Sequence, residues 1–512
     1  MAMSTAQTKA AGGEHAALAV GTVAGTGVAG CAGDGAAAVS AQLNLPFEIV
    51  VDSTGTLYVA DLGNHRVRKI TTDGKISTLA GTGDAGFGGD GGLAVSAQLN
   101  KPRGVAVDGA GNIYIADVGN HRVRKVTADG KICTFAGSGT GGFSGDGVLA
   151  TAAQLKDPIG LVVDSAGVLY VAEYNNHRVR KITTDGKIST VVGTGVAGFG
   201  GDGGPAVSAQ LKNPYGLAVD GAGALYVADA ANHRIRKVAT DGKISTFAGT
   251  GTAGFGGDGG PAASAQLKYP VGIVADSAGA LYVSDHGNHR IRKVTADGKI
   301  STVVGTGTAG FGGDGGPATS VQLNNQMGLA VDCMDTLYIA DHRNHRIRKI
   351  PSAVMAGLPE SGTVVSWVNV RSRLRMGVLR ESTKDGAEIH QSLAAARDHQ
   401  RWRLIVAGQD NGDVLYTIEN VRSGKVLEVV GAQERAGAVI AQRTYEGDEA
   451  HHQQWRLIPV GSGGGEGGVR VYEIANRNSG LLLRVDTNAR AVIKQHGAEG
   501  DHRQRQWQLL PV

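Results

Sequence analysis

The sequence predicts an all-β chain: a six-bladed β-propeller closed by its own N-terminal strand, then a second all-β domain built from a threefold repeat. Three observations lead there. An Asn-His-Arg triplet begins at Asn64, Asn120, Asn176, Asn232, Asn288 and Asn344, a strict step of 56 residues, and a fixed period of that size marks a propeller, solenoid or array. Each unit holds four short β-rich runs, "GVAVD", "NIYIAD", "HRVRKV" and "KICTFAG", the count of strands in a propeller blade. Beyond the sixth unit, Trp402, Trp455 and Trp507 recur at intervals of 53 and 52 residues.

Within a unit, "DGAG" joins the first two runs and "TADGK" the last two, both hairpin signals. The ends complete the ring. The sixth copy stops after "NHRIRKI" and lacks its fourth run, while "AVGTVAGTG" near the N-terminus matches "KISTVVGTG" of the fifth copy. Residues 18–27 are therefore expected to add the outer strand to the last blade, which removes an open sheet edge. A set repeated six times reads as a joint rather than a site. Asp61, Asn64, His65 and Arg66, with their sister sets (Glu173 replaces the Asp in the third), are expected to tie the second and third strands together across their turn. A second marker, Gly-Asp-Gly, places Asp34, Asp90, Asp146, Asp202, Asp258 and Asp314 in glycine-rich loops. One carboxylate per loop is thin for calcium, and the loops lack the P-loop Lys-Ser/Thr. They read as turns in which the Asp bonds its own backbone.

The units resemble NHL repeats, named for Asn-His-Leu; here the third residue is Arg, as in "GLAVDGAGALYVADAANHRIRKV". The resemblance covers about 18–350 and implies a ring-shaped scaffold used most often for binding, with a minority of related propellers acting as lyases or hydrolases.

Comparing the six copies isolates two variable zones. One is the entry to the first strand, with Phe47, Glu48, Arg103, Tyr215, Tyr269 and Met327; the other is the pair before Asn-His-Arg, with Tyr174, His286, His342 and Arg343. Because strands alternate direction, both zones open on one face, and function tends to sit on loops held by a rigid scaffold. A propeller ligand is expected there, at the channel mouth. The histidines are lone residues on turns, without metal-ligand spacing.

From about Thr363 glycine falls and Trp, Arg and Gln rise. "HQRWRLIVAG", "HHQQWRLIPVG" and "QRQWQLLPV" end three related segments. They resemble the Gln-x-Trp motif of ricin-type lectins, intact at Gln400/Trp402 and Gln453/Trp455 and degenerate at Arg505/Trp507, over about 363–512. The resemblance implies a β-trefoil with the tryptophans in its core. The family holds its sugar with an Asp, a stacking aromatic ring and an Asn. Those places carry Gly377, Glu428 and Arg484; Ser392, Arg443 and His496; and His399, His452 and Gln504. Lobe two, with Glu428, Gln442, Arg443, His452 and Gln453, keeps the most hydrogen-bonding groups and is the candidate carbohydrate site.

The organisation expected is a disordered lead (1–17), the propeller (18–350), a linker (351–362) and the trefoil (363–512). Fifty basic residues nearly match 46 acidic ones, for a net +4, which gives no large field for nucleic acid or membrane. Cys31, Cys133 and Cys333 are odd in number and scattered, so neither a disulfide framework nor a zinc site is predicted. No signal peptide and no apolar run of membrane-spanning length appear; the chain is expected in the cytoplasm, with export by another route open. No cofactor is predicted. The function expected is non-catalytic recognition or adhesion, with a protein or peptide on the propeller face and a glycan or polysaccharide on the trefoil. The alternatives are a lyase or hydrolase working in the propeller channel and a nucleic-acid-binding NHL propeller using its six "HRVRK"-type runs.

Overall fold

A computed structural model describes residues 20–351, except 277–278 and 333–334, and a discontinuous set of strands and turns within 364–511. The expected lead, nearly all of the linker and Cys333 lie outside the described residues. No helix among those described is long and apolar enough to cross a membrane. The chain divides into two compact units, one holding the 56-residue repeats and the other the C-terminal tryptophan repeats.

Strand β1 (Gly21–Ala24) precedes the first blade, which comprises β2 (Pro46–Val51), β3 (Leu57–Asp61), β4 (Arg66–Ile70) and β5 (Ile76–Ala80). The sheet order follows the chain, and the same order repeats in the next four blades. In the sixth blade β1 supplies the outer strand, pairing with Arg346–Ile350 in the register Gly21↔Lys349 and Thr22↔Arg348. The ring closes as the incomplete sixth copy predicts.

Each blade starts with Asp52-type turn chemistry. Asp52 accepts the backbone N–H groups of Thr54 and Thr56 and the Tyr58 hydroxyl, which fixes the β2–β3 hairpin. The Gly-Asp-Gly aspartates do something else, and here the sequence expectation is corrected. Asp34 turns away from its own backbone, accepting Nη2 of Arg68 and the Thr78 hydroxyl. Arg68 is fully buried, and its Nη1 also reaches Asp61 at 3.3 Å. The same triad recurs in every blade around Arg124, Arg180, Arg236, Arg292 and Arg348. In five units a loop phenylalanine covers it: Phe87 lies 3.9 Å from the Arg122 guanidinium and 4.9 Å from that of Arg124. One arginine of each "HRVRK"-type run therefore serves the interior and adds nothing to a basic face.

In the first unit Cys31 occupies the phenylalanine's place, exposed and unpaired. Cys31→Phe should let the ring stack on Arg66 and Arg68 as its sisters do, for about 0.5–1 kcal/mol. We expect a rise of about 2 °C in the propeller's melting temperature. An unchanged or lower value would mean that the stacked ring adds nothing to the triad it covers.

The Asn-His-Arg triplet reaches further than the expected strand tie. Asn64 donates to both Asp61 and Gly30 O, and Arg66 donates to Thr82 O. His65, in left-handed backbone with φ 53°, uses Nδ1 to accept the Lys101 N–H at the entry of the next blade. His121, His177, His233 and His345 repeat that latch, the last one closing the ring on Leu45. Between the fifth and sixth blades Gln326 replaces it. Fully buried, it donates to Asp285 O and Arg290 O.

The second unit repeats one pairing three times. Trp402 faces Asn420, Trp455 faces Asn476 and Trp507 faces Asn369 across antiparallel strands. Trp402 and Trp455 are fully buried and donate their Nε1–H to Met376 O and Leu427 O. These rings form the trefoil core, and Gln400 and Gln453 are buried beside them.

Candidate functional site

The innermost strands of the six blades surround the propeller axis. Each of the first five begins with a β-bulge, between Pro46 and Ile49 in the first blade, and the bulge carries the variable residues. At one position five blades have glycine: Gly104, Gly160, Gly216, Gly272 and Gly328. A Cβ at the first four would collide with a carbonyl oxygen of the next blade, those of Ile159, Tyr215, Val271 and Met327. Only glycine permits so close an approach, and the result is a narrow neck. In the first blade that position is Glu48, whose carboxyl group lies where a Gly328 side chain would go.

On one side of the neck the two variable zones meet, because the second-to-third turn pairs with the strand entry: Gly63 N–H donates to Asn44 O, and Arg343 N–H to Asn324 O. Here most of the predicted residues gather into an aromatic platform. Phe47 stacks on Tyr215 at 5.8 Å; Tyr215 meets Tyr174 at 5.8 Å and Tyr269 at 6.4 Å. The Tyr174 and Tyr269 hydroxyls share a 2.8 Å hydrogen bond. His342 sits edge-on to Phe47 and His286 is tilted against Tyr269. The Arg103 guanidinium lies 5.2 Å from the Phe47 ring. Met327 packs against the same core, and Arg343 is exposed.

The platform is a packed plug and not an open mouth. Phe47 is 3% exposed and Tyr215 9%, with Tyr174, Tyr269, Arg103, His286 and His342 half-buried around them. The two histidines are thus not solvated turn residues. Each directs Nδ1 at a backbone carbonyl, Gln326 O for His286 and Pro46 O for His342, so Nδ1 carries the proton, the reverse of the latch histidines. Burial lowers the pKa of His286 and takes that of His342 down to about 4. Arg103 and Arg343 therefore carry the platform's positive charge near neutral pH. Among the described residues no three His, Cys, Asp or Glu side chains gather at metal-binding distance.

On the other side of the neck lies a cavity of about 260 Å³, bounded by the inner strands and ending at Glu48. The repeat comparison pointed to the variable face; this volume lies beyond it, behind strands whose sequences barely vary. Its signal in the sequence was the lone Glu in a ring of glycines.

In the second unit, four of the five lobe-two residues come together. Glu428 accepts Arg443 Nε at 2.8 Å and Gln453 Nε2 at 3.5 Å, with His452 Nε2 at 3.6 Å. Gln442 is not among them. It is buried, accepts the Ser423 hydroxyl, and donates to Ser382 O and Lys384 O, bracing the preceding lobe. Gln453 clamps the segment after Arg443 by donating to Thr444 O and accepting the Glu446 N–H. Between those two residues stands Tyr445, an exposed ring that sequence comparison missed because it falls two places beyond the lobe's expected aromatic position. Of the other lobes' counterparts, His399 and Gln504 lie outside the described residues, as do the side chains of Ser392, Arg484 and His496, and Gly377 has no side chain to offer.

A closed ring of four-stranded blades joined to a unit with a threefold tryptophan–asparagine pairing defines a propeller–trefoil protein. Its propeller is built of NHL repeats and its C-terminal unit is a ricin-type β-trefoil lectin-like domain. The NHL repeat family matches residues 43–70, 155–182 and 328–350, and the Teneurin NHL domain matches 82–143, 195–255 and 252–310. The family of ricin-type β-trefoil lectin domain-like sequences matches 354–443 and 398–496. NHL repeat-containing protein 2 of Homo sapiens is 28% identical over 340 residues, which cover 60% of this chain and 46% of that protein. Teneurin-1 of Mus musculus is 30% identical over 279 residues, 47% of this chain and 10% of that one. The chain thus spans less than half the length of these curated relatives. Among solved structures, the designed threefold-symmetric protein ThreeFoil is 32% identical, covers 29% of this chain and 99% of its own, and has a TM-score of 0.26.

Proposed function

We propose that the chain is a non-catalytic recognition protein whose propeller platform engages a protein or peptide and whose second trefoil lobe engages carbohydrate. The observation that carries this reading is the platform. Six nearly identical blades differ at a handful of positions, and those positions meet as Tyr, Phe, His and Arg around one axis. Tyr and Arg are enriched in binding hot spots, and tyrosine rings offer large rigid contact area at low entropic cost. In lobe two, Arg443 is partly exposed over a buried Glu428, beside His452 and the Tyr445 ring, a set suited to a hydroxyl-rich or acidic sugar. Two weak sites on one chain reinforce each other through effective concentration.

The test is peptide-library selection on the full chain, with selected peptides rebound to a Tyr174→Ala/Tyr269→Ala variant, beside a glycan array probed with the native chain and with Arg443→Ala/Tyr445→Ala. We expect each pair of changes to weaken its own ligand at least about tenfold, or 1.4 kcal/mol, and to leave the other ligand alone. Peptides indifferent to the tyrosine changes would remove the platform from the reading. Glycans indifferent to the lobe-two changes would remove that lobe.

A further inference from the structure

The cavity beyond the neck has an unusual chemistry. Its wall consists of aliphatic side chains and backbone from all six inner strands, including Val50, Val105, Leu161, Leu217, Ile273 and Leu329. Among the described residues lining it, Glu48 alone is ionisable. The Glu48 carboxyl receives backbone N–H groups of Ile49 and Leu329, and no basic side chain of the described residues comes within ion-pair distance. Burial pushes its pKa up to about 8, the penalty of an anion without a counter-ion.

The tube has one closed end and one wider end. Phe47 and Tyr215 pack together beyond the neck. At the far end Val51, Val107, Val163, Val219 and Ala275 are partly exposed, whereas Ile49, Val105, Leu161, Leu217 and Ile273 nearer the neck are buried. From Glu48 to Val51 the strand rises about 10 Å, comparable to a medium-length alkyl chain. A channel lined by aliphatic side chains and strand backbone, with a single carboxyl group that has no ion-pair partner at its closed end, is complementary to a guest with a slender hydrocarbon body and one cationic end. Once the acid is ionised, a neutral guest leaves it without a counter-charge and an anionic guest meets a like charge.

We propose that the propeller channel binds a medium-chain alkylammonium, its ammonium paired with the Glu48 carboxylate and its hydrocarbon chain laid along the aliphatic wall. This site is independent of the platform and of the trefoil lobe. It lies on the opposite side of the neck from the aromatic platform and shares with the variable set only Glu48, which stands in the neck itself.

Calorimetric titration of the full chain with n-hexylamine, 1-hexanol and hexanoate at pH 9 tests it, with Glu48→Gln as the matched variant and Tyr174→Ala as a platform control. At that pH the Glu48 carboxyl is ionised and the amine still protonated. The native chain and Tyr174→Ala should bind hexylamine at least about tenfold more tightly than hexanol and should reject hexanoate. In Glu48→Gln, close in shape and uncharged, amine and alcohol should bind within about twofold of each other. The proposal is overturned if hexylamine fails to bind the native chain, if it binds no better than hexanol, if its advantage survives in Glu48→Gln, or if Tyr174→Ala abolishes it.

Discussion

Arg236→Met should cost the propeller about 3–5 kcal/mol, the range for breaking a buried ion pair by removing one partner. Arg236 is fully buried and bonds Asp229, Asp202, Gln210 O and Gly200 O. Its removal strands Asp229, which is also fully buried and whose pKa burial already raises against the donors around it. An acid with a raised folded-state pKa costs stability as pH rises through that value, so the variant's deficit should be larger at pH 8 than at pH 5. Adding Asp229→Asn removes the stranded charge while keeping an acceptor for the Lys212 N–H, and should recover at least about 1 kcal/mol. The measurement can be weighted towards one domain. All four tryptophans lie at or beyond position 367, while nine of the 12 tyrosines lie before position 350, so in urea unfolding tryptophan fluorescence reports the trefoil and tyrosine near-ultraviolet dichroism mainly the blades. A tyrosine midpoint that does not move would mean that the six buried arginine triads are decoration.

That triad also shows how much of the molecule the sequence reveals. The blade count, strand order and ring closure could all be read from a strict period, because hairpin turns and alternating aliphatic residues are local signals. The Arg68 triad could not, since its carboxylates lie 7 and 34 residues away, and an arginine in a strand ordinarily marks a wetted face. The period did hold a clue, because Arg, Asp and Asp recur together. The platform was legible as a set, because variation against an invariant background needs no contact information; its closure into a plug was not, because ring packing depends on how tightly the neck draws the blades together. In the trefoil, the buried glutamines and tryptophans followed the motif. Gln442 misled because strand alternation points it at the neighbouring lobe, with its side chain held by Ser382 O and Lys384 O.

Glu48→Gln should stabilise the propeller, and by an amount that depends on pH. The carboxyl moves from an ordinary 4.5 to about 8 on folding. Between those values the native chain holds a proton that the unfolded chain has released, so native stability falls as pH rises from 4.5 to 8 and the full loss is present above 8. At 1.36 kcal/mol per pH unit the ceiling is about 5 kcal/mol; because channel water reaches part of the side chain, about 2–3 kcal/mol is expected. The variant should therefore match the native chain near pH 4 and exceed it by that margin at pH 9, in thermal or urea unfolding read through tyrosine. Taking the difference between the two proteins removes the latch histidines and buried aspartates, which titrate in both. Parallel curves from pH 4 to 9 would mean that Glu48 ionises as freely as a surface carboxylate. The same curves bear on the channel ligand. A bound ammonium supplies the missing counter-charge, so saturating hexylamine should flatten the native chain's loss above pH 6 and change the Glu48→Gln profile by no more than hexanol does.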